Sequence, residues 1–168
     1  MIYFLRSIFA RRRSIIEADV LRTLANMLPV MAWTARADGY IDWYNARWYQ
    51  YTGTTFEQMK GWGWQSVHDA KELLTVMDKW EHSIASGERF EMICPLRGSN
   101  GRFRYFMTRV EPMKDSDGNI LRWFGTNTDI EHEHRDNLQS GNMVKALNDR
   151  LDRLEHGRGG GECSTKTT

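Results

Sequence analysis

Residues 90–130, FEMICPLRGSNGRFRYFMTRVEPMKDSDGNILRWFGTNTDI, decide the fold. Three runs rich in aromatic and β-branched residues are separated by Asn100-Gly101 and Asp117-Gly118. Asn-Gly and Asp-Gly supply the positive φ angles of hairpin turns, so the segment is expected to form a three-stranded antiparallel meander. One face of such a sheet must be covered by other parts of the chain.

The cover lies upstream. Leu73, Met77, Trp80 and Ile84 recur at helical spacing, which predicts a helix over 69–86 with Gly87 as its stop. Asp69 and Glu72 have the spacing of a capping box at its start. Residues 30–35 and 40–44 flank Asp38-Gly39 and read as two further strands. Short helices are expected over 46–51, closed by Gly53, and over 56–60, capped by Thr54 or Thr55. Gly61-Trp62-Gly63-Trp64 marks a tight, packed turn. The order gives an α+β domain with one five-stranded antiparallel sheet and helices on one face.

The flanks differ in character. Residues 14–28 carry an apolar stripe that includes Leu21, Leu24 and Leu28, and Pro29 ends that helix. Val144, Leu147, Leu151 and Leu154 form an a/d seam about two heptads long. Both sets are candidate dimer contacts. The organisation expected is an apolar/basic leader and amphipathic helix over 1–27, a central domain over 28–130, a helix over 131–156 and a disordered tail over 157–168.

The chain has 168 residues, 23 Lys+Arg against 22 Asp+Glu. That balance gives no basic field for nucleic acid. Cys94 and Cys163 are far apart and show neither a disulfide framework nor zinc spacing, which fits a reducing, cytoplasmic compartment. The apolar run near the N-terminus is too short to span a bilayer. Its arginines, Arg6 and Arg11 to Arg13, follow the apolar residues, the reverse of a signal peptide. Residues 1–13 are compatible with contact to a membrane surface. The plainer reading, a frayed leader or the end of a longer upstream region, takes precedence.

From Leu28 to Ile130 the chain resembles a PAS domain, of the Trp-rich type found in bacterial sensor histidine kinases and related signalling proteins. The resemblance rests on Leu28-Pro29 with Trp33, Asp38-Gly39 with Tyr44-Asn45, and Trp48 with Tyr51-Thr52-Gly53. It continues through Gly61-Trp62-Gly63-Trp64, Val67-His68, Ser86-Gly87, Phe90-Glu91 and Asn100-Gly101-Arg102-Phe103-Arg104. It closes with Asp117-Gly118, Arg122-Trp123 and Gly125-Thr126-Asn127-Thr128-Asp129-Ile130. No piece is specific alone; their order and spacing are. The resemblance implies the fold already reached and a role in sensing or relaying a signal. It also implies that Thr128, Asp129 and Ile130 couple the last strand to the outgoing helix. Two departures stand out. His68-Asp69-Ala70-Lys71 replaces the family's His-Pro-Asp-Asp, and Pro95 lacks a ladder donor, which points to a bulge or an edge strand there.

The resemblance also sets expectations for cofactors. Light-sensing relatives bind flavin through a helix Asn-Cys motif, which is missing between Thr54 and Asp69, while Cys94 reads as a small buried hydrophobe. Haem-binding relatives carry a histidine early in the long helix, where this chain has residues 72–75; His82 falls near the other end. Covalent flavin chemistry and haem are therefore not expected, and the cofactor is unknown. His68 is expected to help close the long helix. His132 and His134 point to different sides of a helix, so no metal site is expected. No nucleophile elbow or phosphate loop occurs, and the twelve residues after His156 leave no space for a kinase catalytic domain.

A ligand pocket, if present, is expected between the sheet and the long helix, lined by Trp33, Trp48, Met77, Trp80, Met107 and Phe124. The expected function is a non-catalytic sensory module of a two-component system. It acts as a homodimer, with a separate histidine kinase or response regulator as partner. The alternatives are a ligand-free dimerisation or docking scaffold, or the sensory fragment of a histidine kinase.

Overall fold

The computed structural model describes residue 16 and residues 18–157, with side chains as far as residue 147. The expected membrane-surface contact of residues 1–13, the tail from residue 158, and the side chains of Leu151 and Leu154 lie outside the described residues. The chain divides into two units, one ending at Ile130 and one beginning at Glu131.

The first unit holds five antiparallel strands: β1 Met31–Arg36, β2 Ile41–Tyr44, β3 Phe90–Arg97, β4 Phe103–Lys114 and β5 Ile120–Asp129. They run in the order β2-β1-β5-β4-β3, so the last strand is central and the meander folds back to meet the first hairpin. Both predicted meander turns are present. Gly101 and Gly118 take φ of 76° and 88°, beyond an Asn100 and an Asp115 that hold the following amide groups. Side-chain caps of this kind make the turns local and self-contained. Pro95 pairs with Tyr105 in an uninterrupted β3 register. Of the two expected accommodations the sheet uses the edge, because β3 is an edge strand whose outer side carries only an isolated bridge, from His68 to Leu96.

Helix α1 covers residues 18–27. It is followed by α2 Ala46–Thr52, α3 Phe56–Met59, a 3₁₀ turn at Gly63–Val67 and α4 Leu73–Ser86. α2 starts at Asn45, whose side chain accepts the Trp48 amide, and α3 starts at a reciprocal Thr55–Gln58 capping box. α4 begins four residues later than the periodicity predicts. Asp69 accepts the Lys71 amide at 2.9 Å, and Glu72 makes no side-chain cap. The carboxylate of Asp69 closes its own turn instead of capping a helix, so no capping box forms.

β4 and β5 alternate cleanly. Phe106, Thr108 and Val110 of β4, with Trp123, Gly125 and Asn127 of β5, bury their side of the sheet. Trp33 and Ala35 of β1, Cys94 and Leu96 of β3, and Val76 and Trp80 of α4 complete the core. Trp80 packs edge-on against Trp33, Phe90 and Trp123, with ring centroids 6.0, 5.9 and 5.1 Å away. These are the favoured geometries for aromatic quadrupoles.

α1 lies on the other side of the sheet, tied by Asn45, whose Nδ2 donates to the carbonyls of Ala25 and Val30 at 3.0 and 2.9 Å. A groove lined by Leu21 and Ala25 on the helix, by Leu28 just after it, and by Trp43, Phe124 and Thr126 on the sheet runs between them. In the second unit, α5 spans Glu131–Gly157. Glu131–Arg135 and His132–Asp136 pair at one-turn spacing, 2.7 and 2.9 Å apart. No helix among the described residues is long and apolar enough to cross a membrane.

Candidate functional site: a cavity between the sheet and the helices

A cavity of about 40 Å³ lies inside the first unit. The sheet contributes Trp33, Ile41, Phe90, Cys94, Thr108, Val110 and Asn127; the helical side contributes Trp48, Trp64, His68, Val76 and Trp80. The lining is mostly aromatic and aliphatic with a few placed polar groups, the usual make-up of a small-molecule site.

A polar string crosses the sheet wall. The Trp33 indole donates to Asn127 Oδ1 at 2.8 Å, and Asn127 Nδ2 donates to Thr108 Oγ1 at 2.6 Å. Thr108 Oγ1 in turn lies 3.5 Å from Cys94 Sγ. Asn127 and Thr108 are register partners on β5 and β4, so the ladder itself brings them together. Trp33 reaches Asn127 because its own partner on β5 is Gly125. A Cβ at that position would stand 2.2 Å from the Trp33 ring. Glycine there lets the indole lie against the strand.

The helical wall is less satisfied. Trp48 Nε1, Trp64 Nε1 and His68 Nδ1 are buried and have no protein partner. Leaving a buried polar atom unpaired costs about 1–3 kcal/mol, so the helical wall carries a cost that the sheet wall does not. His68 packs edge-on against Trp64, centroids 5.2 Å apart. Burial lowers its pKa to about 4, which keeps the imidazole uncharged at neutral pH. Burial also raises the Cys94 thiol, opposed by its bond to Thr108. Cys94 is therefore a protonated wall residue rather than a nucleophile.

Trp33, Trp48 and Trp80 are the predicted pocket residues that line the cavity. Met77 packs against the core, with its sulfur 3.1 Å from Gln65 Nε2, and does not reach the lining. Met107 and Phe124 are corrections. Side chains alternate along a strand, and Phe106, Thr108, Trp123 and Asn127 take the inner positions, so Met107 and Phe124 face the other way. Phe124 is 47% exposed and belongs to the α1 groove. The expected place of His68 at the start of the long helix is also corrected. It follows the 3₁₀ turn and bridges Leu96, because α4 begins only at Leu73. Sequence reasoning missed Asn127, Thr108 and His68 as wall residues. The alternation counted from Trp123 contains the signal for Asn127.

The junction residues stand at the end of β5. Thr128 and Asp129 pair with Met107 and Phe106, and the Ile130 amide donates to the Tyr105 carbonyl at 3.0 Å. Asp129 forms an ion pair with Arg104 at 2.9 Å. Among the predicted dimer contacts, Leu21 and Leu24 of α1, Leu28 just after it, and Val144 and Leu147 of α5 are exposed apolar side chains. Among the described residues no group of three or more His, Cys, Asp or Glu is placed to hold a metal ion.

Comparison with known proteins agrees with this architecture. The model of the PAS fold family matches residues 41–127. An uncharacterized protein of Sinorhizobium fredii, y4lL, is 30% identical over 114 residues, covering 68% of this chain and 14% of that protein. The peroxide stress-activated histidine kinase mak1 of Schizosaccharomyces pombe is 27% identical over 115 residues, covering 68% of this chain and 7% of that protein. The chain thus matches only a small part of the length of these relatives. Among solved structures, an RNA-binding light-oxygen-voltage receptor superposes with a TM-score of 0.63 at 15% identity, covering 76% of this chain and 37% of that one. The PAS domain of a Colwellia psychrerythraea protein gives 0.56 at 13% identity, covering 70% and 98%. The N-terminal domain of a Marinobacter aquaeolei diguanylate cyclase with a PAS/PAC sensor gives 0.57 at 15%, covering 62% and 98%. Five antiparallel strands in this order, α2 to α4 over one face and a family match over residues 41–127 together identify the chain as a member of the PAS fold family.

Proposed function

We propose that this chain is a sensory module that binds a small ligand in the cavity and passes its state to α5. It works by binding, not catalysis. The observation that carries the reading is the position of Asn127. It is a cavity wall residue, and it lies two residues before Asp129 on the strand that leads into α5. A ligand that favours one arrangement of the wall shifts the population of β5 end states, and the junction at Thr128, Asp129 and Ile130 carries that shift onward.

The working unit is a homodimer. Exposed Leu21 and Leu24 on α1 with Leu28 just after it, and Val144 and Leu147 on α5, supply two apolar faces in want of a partner. Leu151 and Leu154 extend the second seam in sequence. The downstream partner is a histidine kinase or response regulator of a two-component pathway, a reading supported by the similarity to a region of mak1. A second reading, a ligand-free dimerisation or docking scaffold, is favoured by the small cavity volume.

Native mass spectrometry of freshly purified protein, with an absorbance spectrum beside it, separates the two. The sensor reading expects a dimer carrying additional small-molecule mass. A clean ligand-free dimer supports the scaffold instead. The Leu147→Asp, Leu151→Asp double variant tests the seam. Its mass by light scattering is expected to fall from dimer to monomer at micromolar concentration, since two buried charges per protomer have no counter-charge across the helices. An unchanged dimer moves the interface to α1.

A further inference from the structure

Helix α1 is thinly covered for an apolar element. Each of its residues is exposed except Ala25, which is half-buried. A helix of ten residues is marginal alone and draws its stability from packing. Its hydrogen bonds to the rest of the domain sit in the last turn, where Asn45 Nδ2 donates to the Ala25 carbonyl and the Ala46 amide donates to Asn26 Oδ1 at 2.8 Å. Along its length the helix stands beside an open groove of about 690 Å³. Leu21 and Phe124, one from each wall, are 66% and 47% exposed. Asp42 and Arg122 also border the groove, but they pair with each other, so the unmet surface is mainly apolar.

α1 carries two apolar stripes at helical spacing. Leu21 and Ala25, continued by Leu28 just after the helix, line the groove, whereas Val20, Leu24 and Met27 do not. One stripe faces the sheet and the other faces away, so the two call for different partners.

The chain itself carries a segment suited to the first stripe. Residues 2–9, IYFLRSIF, hold six large apolar side chains and a single charge, Arg6. They lie outside the described residues and connect to α1 through residues 10–15. Six residues extend to about 20 Å, and the span 18–28 beside the groove is about 16 Å long at helical rise. The linker is thus long enough to turn the run back along α1. A segment tethered this way meets the groove at an effective concentration on the order of millimolar, against about micromolar for the same segment of another copy. Tethering therefore favours the chain's own segment.

We propose that residues 2–9 pack into the groove between α1 and the sheet of the same chain, covering Leu21, Leu28 and Phe124. Val20, Leu24 and Met27 stay outside and are left for the second protomer. The docking is independent of any ligand in the cavity, which lies on the opposite side of the sheet.

Cross-linking of the full chain tests this. In a Cys163→Ser background, Thr126→Cys in the groove is combined in turn with Ile2→Cys, Phe4→Cys or Ile8→Cys. Cys94 is buried and out of reach of a short bis-maleimide. At micromolar protein, at least one pair is expected to join within a single chain, about tenfold or more faster than the same leader cysteine joins Glu81→Cys on α4. Equal rates at the two positions overturn the proposal; if the protein then also pellets with 3:1 phosphatidylcholine–phosphatidylserine vesicles, the run belongs to a membrane surface. Thr126→Cys cross-links that join two chains assign the groove to a second copy and overturn it as well. Amide exchange gives an independent reading. Phe4→Asp with Ile8→Asp places two carboxylates in an apolar groove. Exchange over residues 18–24 is expected to accelerate about fivefold or more. Arg12→Gln with Arg13→Gln makes the same change in net charge outside the run and is expected to leave those rates unaltered. No acceleration by the first pair, or equal acceleration by both, contradicts the docking.

Discussion

Trp123→Ala is expected to destabilise the domain by about 3–5 kcal/mol, the range for removing a large buried aromatic side chain. Trp123 is 0% exposed and sits in the middle of the central strand, where relaxation of neighbours is most restricted. Its ring meets Trp80 with centroids 5.1 Å apart, and Trp80 in turn touches Trp33 and Phe90. Its indole donates to the Ala37 carbonyl at 3.2 Å, which holds the β1–β2 turn to the core. The truncation therefore removes dispersion contacts, leaves a void and strands a carbonyl. Urea unfolding should show a lower midpoint with an unchanged slope. Trp123→Phe keeps a ring against Trp80 and is expected to lose less. A loss below about 1 kcal/mol for the alanine variant contradicts the packing described, since a well-packed site cannot collapse that completely.

Asn45→Ala is expected to cost about 2–4 kcal/mol although it removes only three heavy atoms, because each polar group left unpaired in the interior costs about 1–3 kcal/mol. Asn45 is 0% exposed. Its Oδ1 accepts from the amides of Ala32 and Trp48 at 3.0 and 3.3 Å, and its Nδ2 donates to the carbonyls of Ala25 and Val30. One side chain thus starts α2, fixes the entry to β1 and secures the end of α1. The loss should be uneven. Amide exchange in α1 is expected to accelerate more than exchange in β4, which has no bond to Asn45. Uniform acceleration across both elements is inconsistent with a local tie.

Much of the fold was legible because its turns are local. Asn100-Gly101 and Asp117-Gly118 fix two hairpins by their own chemistry, and the resulting meander needs little from elsewhere. The packing face of α4 was legible for a related reason: Trp80 is buried and Leu73, Met77 and Ile84 pack beside it at helical spacing. The start of α4 was not, because one carboxylate, Asp69, can close a turn or cap a helix, and the residue pattern is the same for both.

The site was only partly legible. Met107 and Phe124 are apolar and lie on the right strands, but strand parity decides which face they take. Trp123 fixes that parity, and counting from it places Asn127 inside and Phe124 outside. The close approach of Trp33 to Gly125 joins residues 92 positions apart in sequence, since 125 minus 33 is 92. No local pattern announces it. The unpaired indoles of Trp48 and Trp64 were equally hidden, because whether a donor is satisfied depends on what the fold places opposite it.

The relay requires that a change inside the cavity be felt at the end of β5. Val76→Met tests this. Val76 lines the cavity from α4, not from the sheet, and methionine is flexible enough to fill a gap without fixed geometry. Amide hydrogen exchange of the full chain is compared before and after the substitution. Exchange at Asp129, Ile130 and the first turns of α5 is expected to change by about fivefold or more, the lower end of ordinary coupling between sites, while α3 keeps its rates. Unchanged exchange at the junction, with the cavity demonstrably filled, contradicts the relay.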